Sequence, residues 1–551
     1  MIIHQIRKLP REKVLGILSF LALAIGVAVR TWQYFQNESL FLDEAWVAME
    51  ATNRSFLEIF RQNFLFEISS RPPLLFILLL KVSTQLFGNN ELALRLVPFL
   101  FSLAALGFFY QLARTYLSGY GFQIALWLFA IAEPLVFFSS EVRRYSVSVF
   151  VSVLLLFLAS RLLKQSVNWK RLLSWGILGA AMLWLAHSAI FVLTAIGITM
   201  TYKKIEQKRW SGLPYLLIPF VLIFGSFLLL YNFTLKDVVG SQQLKESWDE
   251  ALWIEDPLSW KTIPWIVEVF LDSILSPGGL GLPLLMAAIM GGGVAHFIKK
   301  DRMACLLLGM PVVLTSLAAL GGIFPFRGRV ILFLMPAYYI FLAQGAEVVA
   351  QKVFKYNRIA MAVLLSLIFY APVLAVCRMD RSRLKPDNRS ALEFFNLNYH
   401  PGDAVFLNTN KRYAFWYYAG TLGYGKFLPE YEGFDLDGSS LDGKRVGVFS
   451  EFAVEVLGQK IIGLVYEYHL YDQNGRFRRS VFRTGESVFP ITKGGNHPCP
   501  KPGRSWIFLK YPRTQRVAEV NDIILSYFEH CGPQLQKFEK PGAAMYLYDV
   551  R

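Results

Sequence analysis

The sequence predicts a polytopic α-helical membrane protein of about eleven spanning helices plus juxtamembrane helices, with a C-terminal α/β domain outside the membrane. Three observations lead there. Of 551 residues, 54% are hydrophobic and only 17% charged, at a mean hydropathy of +0.39, whereas a soluble chain would carry about a quarter of its residues as charge. Apolar runs of the ~20 residues needed to cross hydrocarbon recur from the N-terminus to position 377. Beyond position 378 they stop, and strand-like alternation mixed with polar turns replaces them.

Along the chain, the basic segment Met1 to Lys13 precedes the apolar run Val14 to Trp32. That run is long for a signal sequence and no small-residue cleavage site follows, so a retained anchor is expected. Further spans are expected at 93–115, 121–139, 145–163, 171–187, 188–203, 212–232, 281–298, 304–322, 329–348 and 359–377. The run Leu74 to Phe87 is shorter and decides the sidedness of everything after it. If it lies on the outer surface without crossing, Arg7 to Lys13, Arg114, Lys164 to Arg171, Lys203 to Arg209, Lys299 to Arg302 and Lys352 to Arg358 all face the cytoplasm, as the positive-inside rule requires. If it crosses, every later basic connection lands outside. The non-crossing arrangement is therefore expected, with a cytoplasmic N-terminus, an extracytoplasmic C-terminal domain and residence in the inner or plasma membrane. The net charge of +16 sits mostly in these connections and reads as topology, which argues against nucleic acid as a partner.

In the tail, Asp403 to Asn408 and Arg445 to Phe449 read as strands and Val520 to Phe528 as a helix. Cys305 and Cys377 fall in or at the ends of apolar helices, whereas Cys499 and Cys531 lie in the polar tail and can pair if it sits in an oxidising compartment. No internal repeat or low-complexity segment is apparent.

The charges that need explaining gather on the outer side. Leu40-Phe-Leu-Asp-Glu-Ala-Trp46 places Asp43 and Glu44 just beyond the first span, either as a solvated loop or as acids held at the bilayer surface for chemistry. Ser140-Glu-Val-Arg-Arg-Tyr-Ser146 sets three charges at a helix end, which is costly unless they are solvated, paired or used. Pairing Glu141 with one arginine leaves the other of Arg143 and Arg144 to grip a phosphate. Arg71 precedes Pro72-Pro73, which fix the entry of the Leu74 run; the alternative for Arg71 is a snorkelling side chain. Arg327 and Arg329 repeat the theme in Phe324-Pro-Phe-Arg-Gly-Arg329. His187 lines the outer side, where a lone histidine is more often a hydrogen-bonded residue than a ligand. There is no zinc-type spacing and no Asp-x-Asp, so no metal ligand is assigned and a divalent ion remains unsupported. Gly291-Gly-Gly293 lies in apolar sequence and reads as close helix packing. No phosphate loop or Walker-type lysine points to a nucleotide.

Taken in order, these segments resemble the polytopic GT-C class of glycosyltransferases, of the dolichyl-phosphate-mannose protein mannosyltransferase type and its bacterial relatives, which include the aminoarabinose transferases of lipid A. The resemblance rests on Asp43-Glu44, on Ser70-Arg-Pro-Pro-Leu-Leu-Phe76 leading to Leu86-Phe-Gly88 and Arg95, and on Phe138-Ser-Ser-Glu-Val-Arg-Arg-Tyr-Ser146. The last is similar to the pattern Tyr-Ser-Gln-Glu-Ala-Arg-x-Tyr-Ser, with Arg143-Arg144 in place of a single arginine. Arg329 to Pro336 resembles the late Arg-Tyr-Leu helix of that class with Val330 for the tyrosine, and His400 to Phe406 followed by Tyr417-Tyr418 resembles the start of its extracytoplasmic domain.

The resemblance implies a catalytic membrane domain at 1–377, with its first outer loop at 33–92, and a soluble domain at 378–551. It implies transfer of one sugar from a polyprenyl-phosphate donor to a glycan, lipid or protein acceptor on the outer side, with inversion. Asp43 would be the general base, with Glu44 orienting it or holding the acceptor. Arg71, Glu141, Arg143, Arg144, Tyr145, Arg327 and Arg329 would bind the lipid phosphate, His187 would line the site, and the Phe233 to Leu280 loop with the C-terminal domain would choose the acceptor. A lipid-linked glycan flippase, or a ligase or polymerase using a lipid-diphosphate donor, are the competing functions.

Overall fold

The computed structural model describes residues 10–61, 71–165, 168–208, 214–236, 259–353, 357–379 and 385–400, and beyond these the segments 403–408, 412–421, 425–427, 445–456, 459–471, 477–479, 502–509, 528–540 and 542–551 with a few isolated positions. The basic residues before Pro10 and the stretch 237–258 of the expected acceptor loop lie outside the described residues.

The described part of each expected span is mostly helical. The first is α1 (Arg11–Phe35). After it come α2 (Leu42–Thr52), a short α3 (Phe56–Phe60) and α4 (Leu74–Phe87). At 1.5 Å per residue the 14 residues of α4 reach about 21 Å, short of the ~30 Å hydrocarbon core. Then follow α5 (Glu91–Tyr116), α6 (Gly119–Ile131) with α7 (Glu133–Phe137), α8 (Tyr145–Lys164), α9 (Trp169–Leu185), α10 (Ala189–Glu206) and α11 (Leu217–Leu230). A separate α12 (Thr262–Leu275) precedes α13 (Pro283–Lys300), α14 (Arg302–Leu320), α15 (Met335–Lys352) and α16 (Arg358–Cys377). Among the described residues seven of these segments are both long and apolar enough to cross, and the bent pair α6 and α7 makes an eighth. The other three expected spans coincide with α9, α10 and α13.

The bundle is ranked by burial. The segment Gly328–Lys352 is almost wholly enclosed, whereas Pro214–Leu235 and Arg358–Cys377 present most of their surface outward. Enclosure depends on small residues. A Cβ on Gly345 would lie 1.8 Å from the Ile289 carbonyl oxygen and one on Gly293 2.0 Å from that of Phe341, so α13 and α15 cross with their backbones touching. Of the glycine triplet, Gly291 and Gly292 face open space, and the close-packing role falls to Gly293 alone.

Arg30, near the end of α1, is 1% exposed, and a buried charge is expensive unless its donors are taken up. The break between α6 and α7, bent by 47°, explains it. Its guanidinium donates to the carbonyls of Ala130 at 2.7 Å and Phe129 at 3.0 Å, to that of Gly26 at 2.9 Å, and through Nε to Ser102 Oγ at 2.9 Å. The arginine thus satisfies backbone oxygens at the bend, in surroundings without water to do so.

The tail begins with α17 (Asn388–Asn398), β1 (Ala404–Asn408) and α18 (Arg412–Thr421). The strands β2 (Gly425–Phe427), β3 (Arg445–Val456), β4 (Gln459–Tyr471), β5 (Phe477–Arg479), β6 (Gly503–Leu509), β7 (Gln534–Lys540) and β8 (Ala543–Val550) complete one mixed sheet. Its order is β2-β3-β4-β1-β6-β8-β7, with β5 on β4; β1 runs parallel to both its neighbours and the other pairs are antiparallel. The strands expected at 403–408 and 445–449 are present, and residues 521–522, 525–526 and 528–531 are helical. Cys499 and Cys531 are joined, with Cα atoms 5.5 Å apart. The apolar core is continuous from the bundle into α17, α18, β6 and β8.

Replacing Arg30 with methionine removes the donors for Phe129 and Ala130, so we expect a loss of about 2–4 kcal/mol, seen as a lower melting temperature in detergent. An unchanged melting temperature would mean that the bend satisfies itself.

Candidate active site

Arg95 near the start of α5, Arg143 before α8 and Arg329 after α14 meet the same pair of acids, so α5, the α6–α7 pair, α8 and α14 each run once between the two ends, and the basic residues at 114–119, 164–165 and 299–302 lie at the opposite end. At the first end α2 starts immediately after Phe41, so Asp43 falls in its first turn, where the helix dipole favours a carboxylate. The chain between α7 and α8 passes through a short 3₁₀ turn at Phe138–Ser140 and a tight loop in which Arg143 N donates to Glu141 O.

Asp43 Oδ2 accepts from Arg143 Nη2 and from Arg329 Nη2, each at 2.6 Å, and Arg143 Nη1 also reaches the Asp43 carbonyl at 3.2 Å. Among the described residues Oδ1 has no partner, and the Asp43 side chain is 28% exposed. The Tyr145 ring lies 5.7 Å from the Arg143 guanidinium carbon and 5.5 Å from that of Arg329, a range at which the ring quadrupole attracts cations. Burial raises the Asp43 carboxyl, but Arg143 and Arg329 together outweigh it and hold the group below the usual carboxylate range.

Glu44 is 1% exposed and its carboxylate is filled. Oε2 accepts from Phe41 N at 3.1 Å and from Lys385 Nζ at 2.7 Å; Oε1 accepts from Val142 N at 3.0 Å and faces Arg95 Nη2 at 3.6 Å. Burial opposes its ionisation, yet Lys385 and Arg95 bring the carboxyl down to about 2. Glu44 touches no solvent, and its contacts hold α2 against the 141–144 loop. Glu141 does not pair with a neighbouring arginine as its sequence suggests. It turns inward to Lys385 Nζ at 2.5 Å, and burial with the nearby Glu44 charge moves its carboxyl up.

The other expected residues divide. Arg144 is half-buried and close enough to Arg143, Arg329 and His187 for their charges to interact. His187 lies between α9 and α10, and its buried Nε2 has no hydrogen-bond partner among the described residues. Arg71 is half-buried just ahead of α4, which packs on α2. Arg327 is not brought to Asp43: Gly328, at φ +53°, turns the chain between the two arginines, and Arg327 Nε donates instead to Asp272 Oδ2 on α12 at 3.0 Å. Lys385 was missed by sequence reasoning, since a lysine in a polar linker carries no periodic or motif signal. The cluster sets Asp43, Glu44, Glu141 and Glu38, which faces Lys385 and Arg95, against Arg95, Arg143, Arg144, Arg329 and Lys385, a surplus of one positive charge at this end of the bundle. Among the described residues no group of three His, Cys, Asp or Glu side chains could hold a metal.

A helical bundle with apolar spans, an acid–guanidinium cluster at one of its ends and an appended sheet define a polytopic helical membrane protein with a C-terminal α/β domain. Residues 70–231 match the dolichyl-phosphate-mannose-protein mannosyltransferase family, the one the sequence resembles. That segment contains Arg71, the 141–145 loop and His187. A comparison with curated proteins finds no match. Similar solved structures include the oligosaccharyltransferase of Archaeoglobus fulgidus in complex with zinc and sulfate, at 13% identity over 73% of this chain and 61% of that one, with a TM-score of 0.47. ArnT from Cupriavidus metallidurans in its apo state is similar at 11% identity over 74% of this chain and 84% of that one, TM-score 0.46. The same ArnT bound to undecaprenyl phosphate gives 12% identity over the same shares, TM-score 0.46. This chain therefore spans 61% of the length of the archaeal enzyme.

Glu44→Ala strands two backbone N–H groups and leaves Arg95 with one acid fewer, so stability should fall by roughly 3–5 kcal/mol, the usual cost of breaking a buried ion pair. Thermal unfolding of the detergent-solubilised protein measures this, and a wild-type melting temperature would remove Glu44 from the scaffold.

Proposed function

We propose that this protein transfers a single sugar from a polyprenyl-monophosphate donor to an acceptor hydroxyl on the extracytoplasmic side, inverting at the anomeric carbon. The observation that carries the reading is Asp43, with one oxygen held by two guanidiniums and the other open. The acceptor O–H would give its proton to Oδ1 as its oxygen bonds to the anomeric carbon. The bond from that carbon to the phosphate oxygen breaks, and its electron pair leaves with the phosphate.

Arg143 and Arg329 then have two partners to choose between. A lipid phosphate drawn to them would loosen their grip on Asp43, whose basicity rises as the charges holding it down turn away. Donor binding and base activation would share the same two side chains. Arg144 and Arg71 are further candidates for the phosphate, and Tyr145 holds the guanidiniums on its ring face. Aligned donors of this kind are worth about 10²–10³ in rate each. Phosphate and sugar would be recognised on the outer side, because the basic connections at the opposite end fit a cytoplasmic location and the Cys499–Cys531 disulfide fits an oxidising one.

A flippase would need charge along a path through the bundle. The buried span charge at Arg30 instead closes on backbone carbonyls.

In purified protein supplied with synthetic polyprenyl-monophosphate and polyprenyl-diphosphate sugars, transfer is expected from the monophosphate. Asp43→Asn should lower it by about 10²–10⁴-fold without changing the melting temperature. Movement of the lipid without a new glycosidic bond would establish the transporter, and turnover of the diphosphate alone the ligase. With Asp43 held below the usual carboxylate range by Arg143 and Arg329, against the opposing charge of Glu44, the base stays ionised as acidity increases. The kcat/KM profile should accordingly show no loss from Asp43 between about pH 7 and 5, given an ordinary aspartate value near 3.9. An acidic limb inside that window would contradict the assignment.

A further inference from the structure

Five consecutive residues of the tail, Lys385 to Arg389, lie across the chain that leads into Asp43. Asn388 Nδ2 donates to the Leu40 carbonyl at 2.9 Å, Arg389 N to Ser39 Oγ at 3.1 Å, and Arg389 Nη2 to the Asn37 carbonyl at 2.9 Å. Lys385 reaches furthest. Its Nζ sits between Glu44 Oε2 at 2.7 Å and Glu141 Oε1 at 2.5 Å, with the side chain only 8% exposed. Behind it, Gly542 in the β7–β8 turn, at φ +75°, packs so tightly on Pro386 that a Cβ would lie 2.6 Å from the proline Cα. The last hairpin of the sheet therefore backs the segment from which Lys385 extends.

The two acids that Lys385 joins belong to different parts of the cluster. Glu44 follows Asp43 in α2 and binds Val142 N. Glu141 belongs to the loop that carries Arg143, the partner of Asp43. Without Lys385, the buried Glu44 and Glu141 carboxylates would face one another, with the half-buried Glu38 adding a third acid and Arg95, 3.6 Å from Glu44, as the remaining buried cation described beside them. Like charges in such a site either take up a proton or separate. Either response moves α2 relative to the 141–144 loop, and with it Asp43 relative to Arg143.

We infer that Lys385 is a positioning residue supplied by the C-terminal domain, which clamps Glu44 to Glu141 and so holds Asp43 and Arg143 in register. It is too enclosed to meet substrate itself. The inference rests on the transferase reading for its effect on rate, while the clamp can be measured apart from any activity.

Full-length K385M, K385R and the charge-balanced K385M/E141Q should be compared with wild type by transfer kinetics, using a synthetic polyprenyl-phosphate sugar that the wild type turns over, and by hydrogen–deuterium exchange of amides 37–46 and 139–145. In K385M, kcat should fall by about 100-fold, the scale of a small misplacement of reacting groups. Donor KM should change by less than about threefold, since no ground-state contact is lost. Exchange in both segments should quicken. K385R should recover kcat to within about tenfold, because a cation is restored with different geometry, and K385M/E141Q should recover exchange protection by removing the unbalanced acid. Wild-type kcat and wild-type exchange in K385M would overturn the clamp, as would failure of K385R to recover either quantity. A wild-type protein that transfers no sugar would refute the transferase reading instead, and the exchange data alone would then decide the clamp.

Discussion

The end of the bundle that holds Asp43 is organised by a carboxylate almost wholly shut off from water. Glu44 gathers a backbone N–H from its own helix start, another from a loop 98 residues away, and a lysine 341 residues away. Burying a charge costs several kcal/mol unless the surroundings replace its hydration, so the three segments have to arrive together. Asp43, next in the chain and partly open to solvent, is carried by that arrangement rather than creating it. Exposed and enclosed members of the Asp-Glu pair thus divide the labour: one is accessible, the other fixes where the accessible one stands.

A second constraint is the absence of water in hydrocarbon. It accounts for Arg30, which serves the carbonyls at the α6–α7 bend. The same physics that makes charge rare in the spans concentrates it at their ends, and there the chain assembles carboxylates and guanidiniums into one cluster with a positive surplus.

Much of this was legible in the sequence. Hydropathy located the spans because the bilayer imposes a minimum length on apolar helices, and alternation located strands such as Ala404–Asn408. Asp43, Arg143 and Arg329 stood out because charge beside a membrane demands a reason, and the structure joins all three at a single oxygen. What a linear reading could not supply was direction. Arg327 and Arg329 look equivalent, yet the left-handed backbone at Gly328 sends them to different acids. Glu141 beside two arginines suggested a local pair, and the loop instead turns it toward a lysine that comes from beyond the last span. Lys385 and Arg389 had no pattern to betray them, since their importance comes only from tertiary contacts with Glu44 and Glu91, and the Tyr417-Tyr418 pair did not reveal that Tyr418 binds Glu91 and the Leu40 N–H.

The unequal enclosure of the helices has an evolutionary consequence. For peripheral segments such as Leu217–Leu230, the lipid demands only that a side chain be oily, so leucine, phenylalanine and valine are free to interchange as lineages diverge. Around Gly345 no such freedom exists, because any methyl would strike the Ile289 carbonyl. Homologous sequences should accordingly drift quickly on the rim and hardly at all along that inner seam, so that an alignment would trace the seam before it traced the chemistry.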